Sequence, residues 1–333
     1  MRVLVTGATG FIGYHTAKRL RAEGHSVRAL VRSPEKAARV LGPLGIERDA
    51  LVVGDMGDGG AVDAALEGCD SVVHAAASVS VTDGRTDLSP NLRGTETVIG
   101  RACERGLYSI FISSVTAIFD PKLPVTEDSA LVPNKTLYGR SKAQCDDWVR
   151  TRQAAGAPVS ILYPAGVVGP DDPGFSESVK AYRMFLRGTL KSEGGNLIVD
   201  VRDLALLLTR MLEAKIPGRV VAAGHFLDWD ELTEALEQVT GTRVPRIRAP
   251  GWLLRGGART LDVIGKLTGR PMPITGDAIE IATRFSRMND SPRVAELGIS
   301  WRPPRETLTD LYRWYLEVGK LPATAVPALA NSR

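Results

Sequence analysis

The chain has 333 residues, 44% of them hydrophobic and 24% charged, a globular composition that excludes wholesale disorder and leaves room for about two domains. With 42 Lys and Arg against 38 Asp and Glu the net charge is +4 at pH 7, and no basic run is present, which argues against nucleic acid as a partner. Three distant cysteines (Cys69, Cys103, Cys145) and four scattered histidines lack disulfide-framework or metal-ligand spacing, so free thiols, no metal and a cytoplasmic protein are expected.

Met1 to Thr6 runs straight into a strand-like segment, unlike a signal peptide. Val3 to Val5 reads as a buried strand and Gly10 to Arg21 as a helix, with Phe11, Ile12, Ala17 and Leu20 apolar. Val27 to Val31 is a second strand, followed by a polar helix from Pro34 to Val40, where proline suits the first turn. Ala50 to Val53 and Ser71 to Ala75 are the third and fourth strands, and Asn91 to Arg105 is a helix. Ser109 to Ser113 is a fifth strand, Lys135 to Ala154 a long helix and Val159 to Tyr163 a sixth strand. Strands alternating with helices predict right-handed crossovers and an α/β, doubly wound parallel sheet over residues 1–163.

The rhythm then changes. Helices are expected at Glu177 to Leu190, Asp203 to Ala214, Asp228 to Thr240, Pro250 to Thr268, Thr275 to Phe285 and Arg305 to Val318, with a short strand at Leu197 to Val199. Residues 164–321 thus read as a smaller, mostly helical substrate region with some elements returning to the core, and 322–333 as a flexible tail. The most apolar helical stretch, Leu204 to Leu212, falls short of the ~20 residues that cross a bilayer, so no membrane span is expected.

Thr6-Gly7-Ala8-Thr9-Gly10-Phe11-Ile12-Gly13 follows the first strand and opens the first helix. Glycines there allow a tight turn and close backbone approach to a pyrophosphate, and the helix start offers unbonded amides to it. The spacing is G-x-x-G-x-x-G, so Gly7, Thr9, Gly10, Phe11, Ile12 and Gly13 are read as cofactor-binding. At the end of the second strand, where an acidic residue would bond the ribose 2′-hydroxyl of NAD(H), this chain has Arg32. Arginine bonds a phosphate bidentately, so NADP(H) is favoured over NAD(H), with Lys36 and Arg39 as helpers.

Tyr138-Gly139-Arg140-Ser141-Lys142 puts a phenol and an ammonium four apart on one helix face. A nearby ammonium favours the phenolate, so the pair is suited to acid/base work near neutrality. Ser113-Ser114 ends the fifth strand, at the edge where ligands of such sheets bind.

Together these residues resemble the extended short-chain dehydrogenases/reductases, also called the NAD-dependent epimerase/dehydratase family. The resemblance runs on through His74-Ala75-Ala76, Asn91-x-x-Gly94-Thr95, Tyr163-Pro164-Ala165-Gly166-Val167, Val199-Asp200-Val201-Arg202-Asp203 and Trp301-Arg302-Pro303. It implies a Rossmann sheet with a helical C-terminal substrate domain. By the same resemblance Ser114 orients substrate, Tyr138 is the acid/base, and Lys142 lowers the tyrosine pKa and bonds the nicotinamide ribose. Asp55 and Met56 would sit at the adenine, His74, Ala75 and Ala76 beside the cofactor, and Pro164 and Val167 near the nicotinamide amide.

Val115 to Asp120 departs from the family's common Tyr-Gly, which removes the warrant for a sugar substrate and leaves Thr116 as a second candidate hydroxyl. Val31-Arg32-Ser33-Pro34 is similar to the dihydroflavonol-reductase-like and 3-beta-hydroxysteroid-dehydrogenase-like members, which handle apolar ketones or alcohols. Leu253, Leu254, Leu261, Val263, Ile264, Leu267, Met272 and Ile274 then line an apolar pocket or pack as core. The leading expectation is an NADP(H)-dependent oxidoreductase acting on a small-molecule carbonyl or alcohol. A nucleotide-sugar epimerase or dehydratase, using Lys180, Arg183, Arg187 and Lys191, and a non-catalytic NADP-binding regulator are the alternatives. The resemblance also implies a homodimer, although Arg93, Arg101, Glu104, Arg140, Asp146 and Asp147 make both dimer helices polar.

Overall fold

The computed structural model describes residues 1–77, 88–133, 137–268 and 276–330. The first half alternates β1 (Arg2–Thr6), α1 (Phe11–Ala22), β2 (Ser26–Val31), α2 (Pro34–Leu41), β3 (Leu51–Val53), α3 (Gly59–Leu66), β4 (Ser71–His74), α4 (Ser89–Glu104), β5 (Tyr108–Ile112), α5 (Leu137–Ala154) and β6 (Val159–Pro164). Then come β7 (Val167–Val168), α6 (Glu177–Phe185), β8 (Thr189–Lys191), β9 (Gly195–Asp200), α7 (Val201–Ala214), β10 (Gly218–Ala222), β11 (His225–Asp228), α8 (Trp229–Thr240) and β12 (Arg246–Arg248). The chain ends in α9 (Gly251–Thr268), α10 (Gly276–Arg284), α11 (Pro292–Glu296), α12 (Pro304–Glu317) and α13 (Pro327–Ala330).

Seven parallel strands form the central sheet in the order β10-β6-β5-β4-β1-β2-β3. Both faces are covered, so the central strands are largely apolar rather than alternating. Val3 and Val5 enter one core with Leu20 of α1 and Leu204 and Leu208 of α7. Leu4, between them, enters the other with Val62, Leu66 and Val98 of α3 and α4. The chain winds from β1 out to β3, then crosses back to lay β4 on the other side of β1, which makes the β1/β4 crevice the topological switch point.

The second half supplies two small sheets, β11-β9-β7 and β12-β8, with α8 and α12 packed beside them. The short strands β7, β8, β11 and β12 and the helices α11 and α13 were not expected, and four further features differ from the sequence reading. Helix α3 is present between β3 and β4, capped by Asp58, whose side chain accepts from the amides of Gly60 and Ala61. Strand β10 completes the main sheet beyond residue 163, pairing with β6 from Gly218↔Ser160 to Ala222↔Pro164. The helix expected to reach Leu190 ends at Phe185, because Gly188 (φ 156°) turns the chain into β8. Finally, the expected tail packs: Val326 and Leu329 are buried in the main core. The expected helix starts at Lys135 and Thr275 lie outside the described residues, as do 331–333. Among the described residues, no helix is long and apolar enough to cross a membrane.

The motif around Asp200 ties α7, which packs against α1 and β5 of the first half, to α12. Its buried carboxylate caps α7 at the Arg202 amide (2.8 Å), takes Arg202 Nε (2.9 Å) and Nη2 (2.7 Å), and accepts from Thr307 Oγ1 of α12 (2.8 Å). Arg202 Nη1 reaches on to Asp310 of α12 (2.7 Å). Asp203 accepts from the Arg302 amide (2.7 Å) and from its guanidinium. Burial alone would raise the Asp200 pKa, but Arg202 holds it below the usual carboxylate range. Removing one member of such a pair strands the other, so Asp200→Ala should lower the unfolding free energy by about 3 kcal/mol in urea titration. A loss below about 1 kcal/mol would show that α12 is held by its apolar face alone.

Candidate active site

The glycine turn sits at the switch point. Gly7 adopts φ 71°, and a Cβ on it would lie 2.7 Å from the Ala76 nitrogen, so only glycine lets the loop after β1 lie against the loop after β4. A Cβ on Gly13 would overlap the Gly7 carbonyl oxygen, which packs the start of α1 against the turn. Gly10 is the helix N-cap, with no side-chain cap and no acidic residue in the first turn. Phe11 and Gly13 are buried and Ile12 is half-buried on this turn, next to Thr9. A crowded glycine cradle opening on an uncapped, uncontested helix start fits a dinucleotide pyrophosphate.

The first hydrogen-bonded chain below this turn was not legible in the sequence. The Ala76 amide donates to Thr6 Oγ1 (3.3 Å), which lies 2.8 Å from His74 Nδ1, while His74 Nε2 is 3.2 Å from Thr95 Oγ1. Thr95 Oγ1 donates its one proton to the Asn91 carbonyl (2.8 Å), so it can only accept from His74. His74 therefore carries a proton on Nε2, and burial keeps the ring neutral, which leaves Nδ1 to accept from Thr6. Burial, reinforced by the charge of Lys142, pushes its pKa down to about 3. Asn91 Nδ2 donates to Ser141 Oγ on α5 (3.1 Å), which carries the chain from the glycine turn to the Tyr138–Lys142 helix. The Asn91-x-x-Gly94-Thr95 motif was visible as a motif, but its partners belong to three other elements.

Ser114 and Tyr138 meet just past the carboxyl end of β5, and Lys142, one turn along α5 from Tyr138, reaches the last residue of that strand. Ser114 caps the short turn Val115–Ala117, accepting from Thr116 N (3.2 Å) and Thr116 Oγ1 (2.9 Å), so Thr116 supports Ser114 through its own hydroxyl. The Tyr138 hydroxyl is hydrogen-bonded with Ser114. Burial raises the Tyr138 pKa and the Ser114 bond pulls the other way, so the net shift is opposite to the lowering expected from Lys142. Lys142 is itself buried, donates to the Ile112 carbonyl (2.8 Å) and lies over the Phe111 ring, with its pKa pushed down by burial.

The other expected contacts lie along the same sheet edge. Arg32 follows β2, is exposed and has no ion-pair or hydrogen-bond partner among the described residues. Ser33 caps α2, accepting from Lys36 N (3.1 Å). Asp55 is exposed and takes the Gly57 amide (2.9 Å), while Met56 fills the space that a Cβ on Gly94 would need. Pro164 ends β6, Val167 is buried in β7, and Ala165 N donates to the Ala222 carbonyl (2.9 Å). The Gly169–Phe175 loop is pinned to α1: His15 Nε2 donates to the Pro170 carbonyl (3.0 Å) and Lys18 pairs with Asp171 (3.0 Å).

Directly after Ser114 the chain is largely apolar and buried. Val115, Ala117 and Ile118 pack with Leu197, Phe285 and Met288, and Phe119 meets Phe285 edge-on at 4.8 Å. Of the residues expected to line a pocket from α9, Leu253 and Leu261 are exposed and Leu254 is half-buried. The side chains of Val263, Ile264 and Leu267 are not described, and Met272 and Ile274 lie outside the described residues. Lys180 and Lys191 are spent on Glu177 (2.9 Å) and Asp230 (3.1 Å), and Arg183 and Arg187 stand exposed. His25 meets Glu23, two residues before it in sequence, and the distant Glu213, and Arg210 pairs with both carboxylates. The three cysteines are free thiols.

This sheet, with its glycine turn at the switch point, defines a dinucleotide-binding α/β protein. Residues 3–224 match the model of the NAD dependent epimerase/dehydratase family, and the chain belongs to that family. It is 29% identical to sterol demethylase protein B of Methylococcus capsulatus, over 96% of this chain and 100% of that one. It is 32% identical to cinnamoyl-CoA reductase 1 of Arabidopsis thaliana, over 71% of this chain and 74% of that protein. Among solved structures, gox2253 superposes with a TM-score of 0.80 at 27% identity, covering 96% of this chain and 99% of its own. Vestitone reductase from alfalfa shares the fold at a TM-score of 0.71 and 19% identity, covering 96% and 99%. The family is nicotinamide-dinucleotide dependent, its curated relatives include reductases, and UDP-glucose 4-epimerase from Bifidobacterium longum shares the fold.

The neutral state of His74 has a measurable consequence. Its folded pKa, about 3, lies below the ordinary 6.5, so its contribution to stability is present above pH 6.5 and is lost as pH falls toward 3. Between pH 7 and pH 4, wild type should lose about 3 kcal/mol more unfolding free energy than His74→Gln, measured in urea. Equal losses in the two proteins would contradict a buried neutral imidazole.

Proposed function

We propose that the chain is an NADP(H)-dependent oxidoreductase that interconverts a carbonyl and a secondary alcohol on a small, largely apolar substrate. The observation that carries this reading is the Tyr138 hydroxyl bonded with Ser114, with Lys142 one turn along the same helix. Gly7, Thr9, Gly10, Phe11, Ile12 and Gly13 would hold the pyrophosphate, Asp55 and Met56 the adenine end, and Ala75, Ala76, Pro164 and Val167 the flank of the nicotinamide. The bound dinucleotide supplies or accepts the hydride. Ser114 donates to the carbonyl oxygen of the substrate and fixes it beside Tyr138. In the reductive direction Tyr138 gives its phenolic proton to that oxygen as charge builds there. Burial keeps Tyr138 protonated at neutral pH, which suits it to act as the acid. Lys142, brought near the phenol, stabilises the phenolate left behind. The Val115–Phe119 wall excludes water and favours an apolar group over a sugar diphosphate.

Arg32 supports the choice of NADP(H): its exposed guanidinium, with no partner among the described residues, follows β2, the position from which such sheets read the ribose 2′ substituent. The apolar segment after Ser114 and the ion-paired Lys180 and Lys191 weigh against the nucleotide-sugar epimerase reading. A regulatory NADP-binding protein would have no use for the Ser114–Tyr138–Lys142 set.

Fluorescence titration should give tighter binding of NADPH than of NADH, and Arg32→Asp should invert that order by placing a carboxylate against the phosphate. Equal or tighter NADH binding by the wild type would overturn the NADP(H) assignment. With ketones, aldehydes and nucleotide sugars assayed by absorbance of the reduced nicotinamide, Tyr138→Phe should keep NADPH binding and lose about 10²–10⁴ in turnover. Undiminished turnover would remove Tyr138 from the chemistry.

A further inference from the structure

Behind the Ser114–Tyr138–Lys142 face lies a buried carboxylate that the sequence placed on a polar dimer helix. Asp146 is fully buried. Ser113 Oγ donates to its Oδ2 (2.7 Å); Tyr163 OH (3.0 Å) and Arg150 Nε (2.8 Å) donate to its Oδ1. Arg150 is held in turn, with Nη1 and Nη2 donating to the Ser129 carbonyl (3.1 Å each) and Nη2 also to Tyr163 OH (2.9 Å). We propose that Asp146 is a positioning residue for the active site, clamping the ends of β5 and β6 to α5 through Ser113 and Tyr163.

The chain connectivity makes the clamp act on the site. Ser113 is bonded to Ser114, Tyr163 to Pro164, and Asp146 follows Lys142 by one helical turn. One carboxylate therefore sets the spacing between the substrate-orienting hydroxyl, the ammonium and the segment assigned to the nicotinamide flank. A buried ion pair is often no more stabilising than apolar packing of the same volume, so stability alone is a poor reason to keep one here. Geometry is a better one: three donors from three elements converge on one rigid group, and a displacement of ~1 Å in such a site can cost about 10²-fold. Asp146 also opposes the burial that pulls down the Lys142 pKa, which helps keep that ammonium charged.

The inference rests on the reading that Lys142 and Pro164 face the cofactor, and the test separates the two claims. NADPH affinity is measured by fluorescence titration, and thermal melting of the free protein is followed in parallel. Asp146→Asn should weaken NADPH binding about tenfold at a temperature where the variant is folded. Combined with Lys142→Met, the loss should fall well short of the product of the two separate factors, because both act on one ammonium. A Kd for folded Asp146→Asn within twofold of wild type, or strictly multiplicative losses, would overturn the clamp and leave Asp146 as packing, visible only in melting. If Lys142→Met binds NADPH as wild type does, the cofactor reading of Lys142 falls and the clamp with it. Should Asp146→Asn fail to fold, Ser113→Ala and Tyr163→Phe each delete one hydroxyl of the clamp. Each should weaken NADPH binding about threefold, and an unchanged Kd in both would overturn the proposal.

Discussion

The close approach of the loops after β1 and β4 governs the geometry of the site. Two backbones meet there at a distance that admits no side chain on Gly7. That contact closes the crevice floor at the switch point and aims the start of α1 at whatever occupies it. It also brings Thr6 under the Ala76 amide and beside His74, which starts the hydrogen-bond chain toward α5. The glycine turn and helix α5, far apart in sequence, are linked through buried groups of β1, β4 and α4.

The polar interior beneath the site is built in two chains with different electrostatics. The His74 chain is neutral from end to end: its proton positions follow from the donors and acceptors present, and its charge is excluded by burial. The Asp146 cluster carries a charge and offsets it with Arg150. Neutral bonds run beneath the glycine turn, and a charge-assisted knot holds the ends of β5 and β6. Both meet on α5, at Ser141 and Asp146, on either side of Lys142. The helix is thus fixed on either side of Lys142, the preorganisation that the proposed proton transfer would need.

Much of this was legible from the sequence. The β-branched runs gave six strands of the main sheet because a sheet buried on both faces writes itself as continuous apolar segments. The glycine turn, Tyr138 and Lys142 could be found because their spacing is local. Strand β10 escaped because it joins the sheet from the far side of α7 and its pairing with β6 is wholly non-local. Helix α3 is short and holds two glycines, so its periodicity is weak, although Asp58 is a legible cap. Asp146 and His74 were misjudged or given only a family role because burial, which decides their chemistry, is a property of the assembled fold. The direction of the Tyr138 shift failed for the same reason: helical spacing brings Lys142 to the same face, but burial acts on both groups.

The central claim is that one crevice, running along the sheet edge from Arg32 through the glycine turn to Tyr138, binds NADP(H) for carbonyl chemistry. A crystal structure of the chain with NADP⁺ tests it most directly. The account predicts pyrophosphate density at the amides of α1's first turn, the 2′-phosphate at Arg32, and the nicotinamide between Pro164 and the Tyr138 hydroxyl. Density for the dinucleotide away from the glycine turn, or a nicotinamide remote from Tyr138, would contradict it.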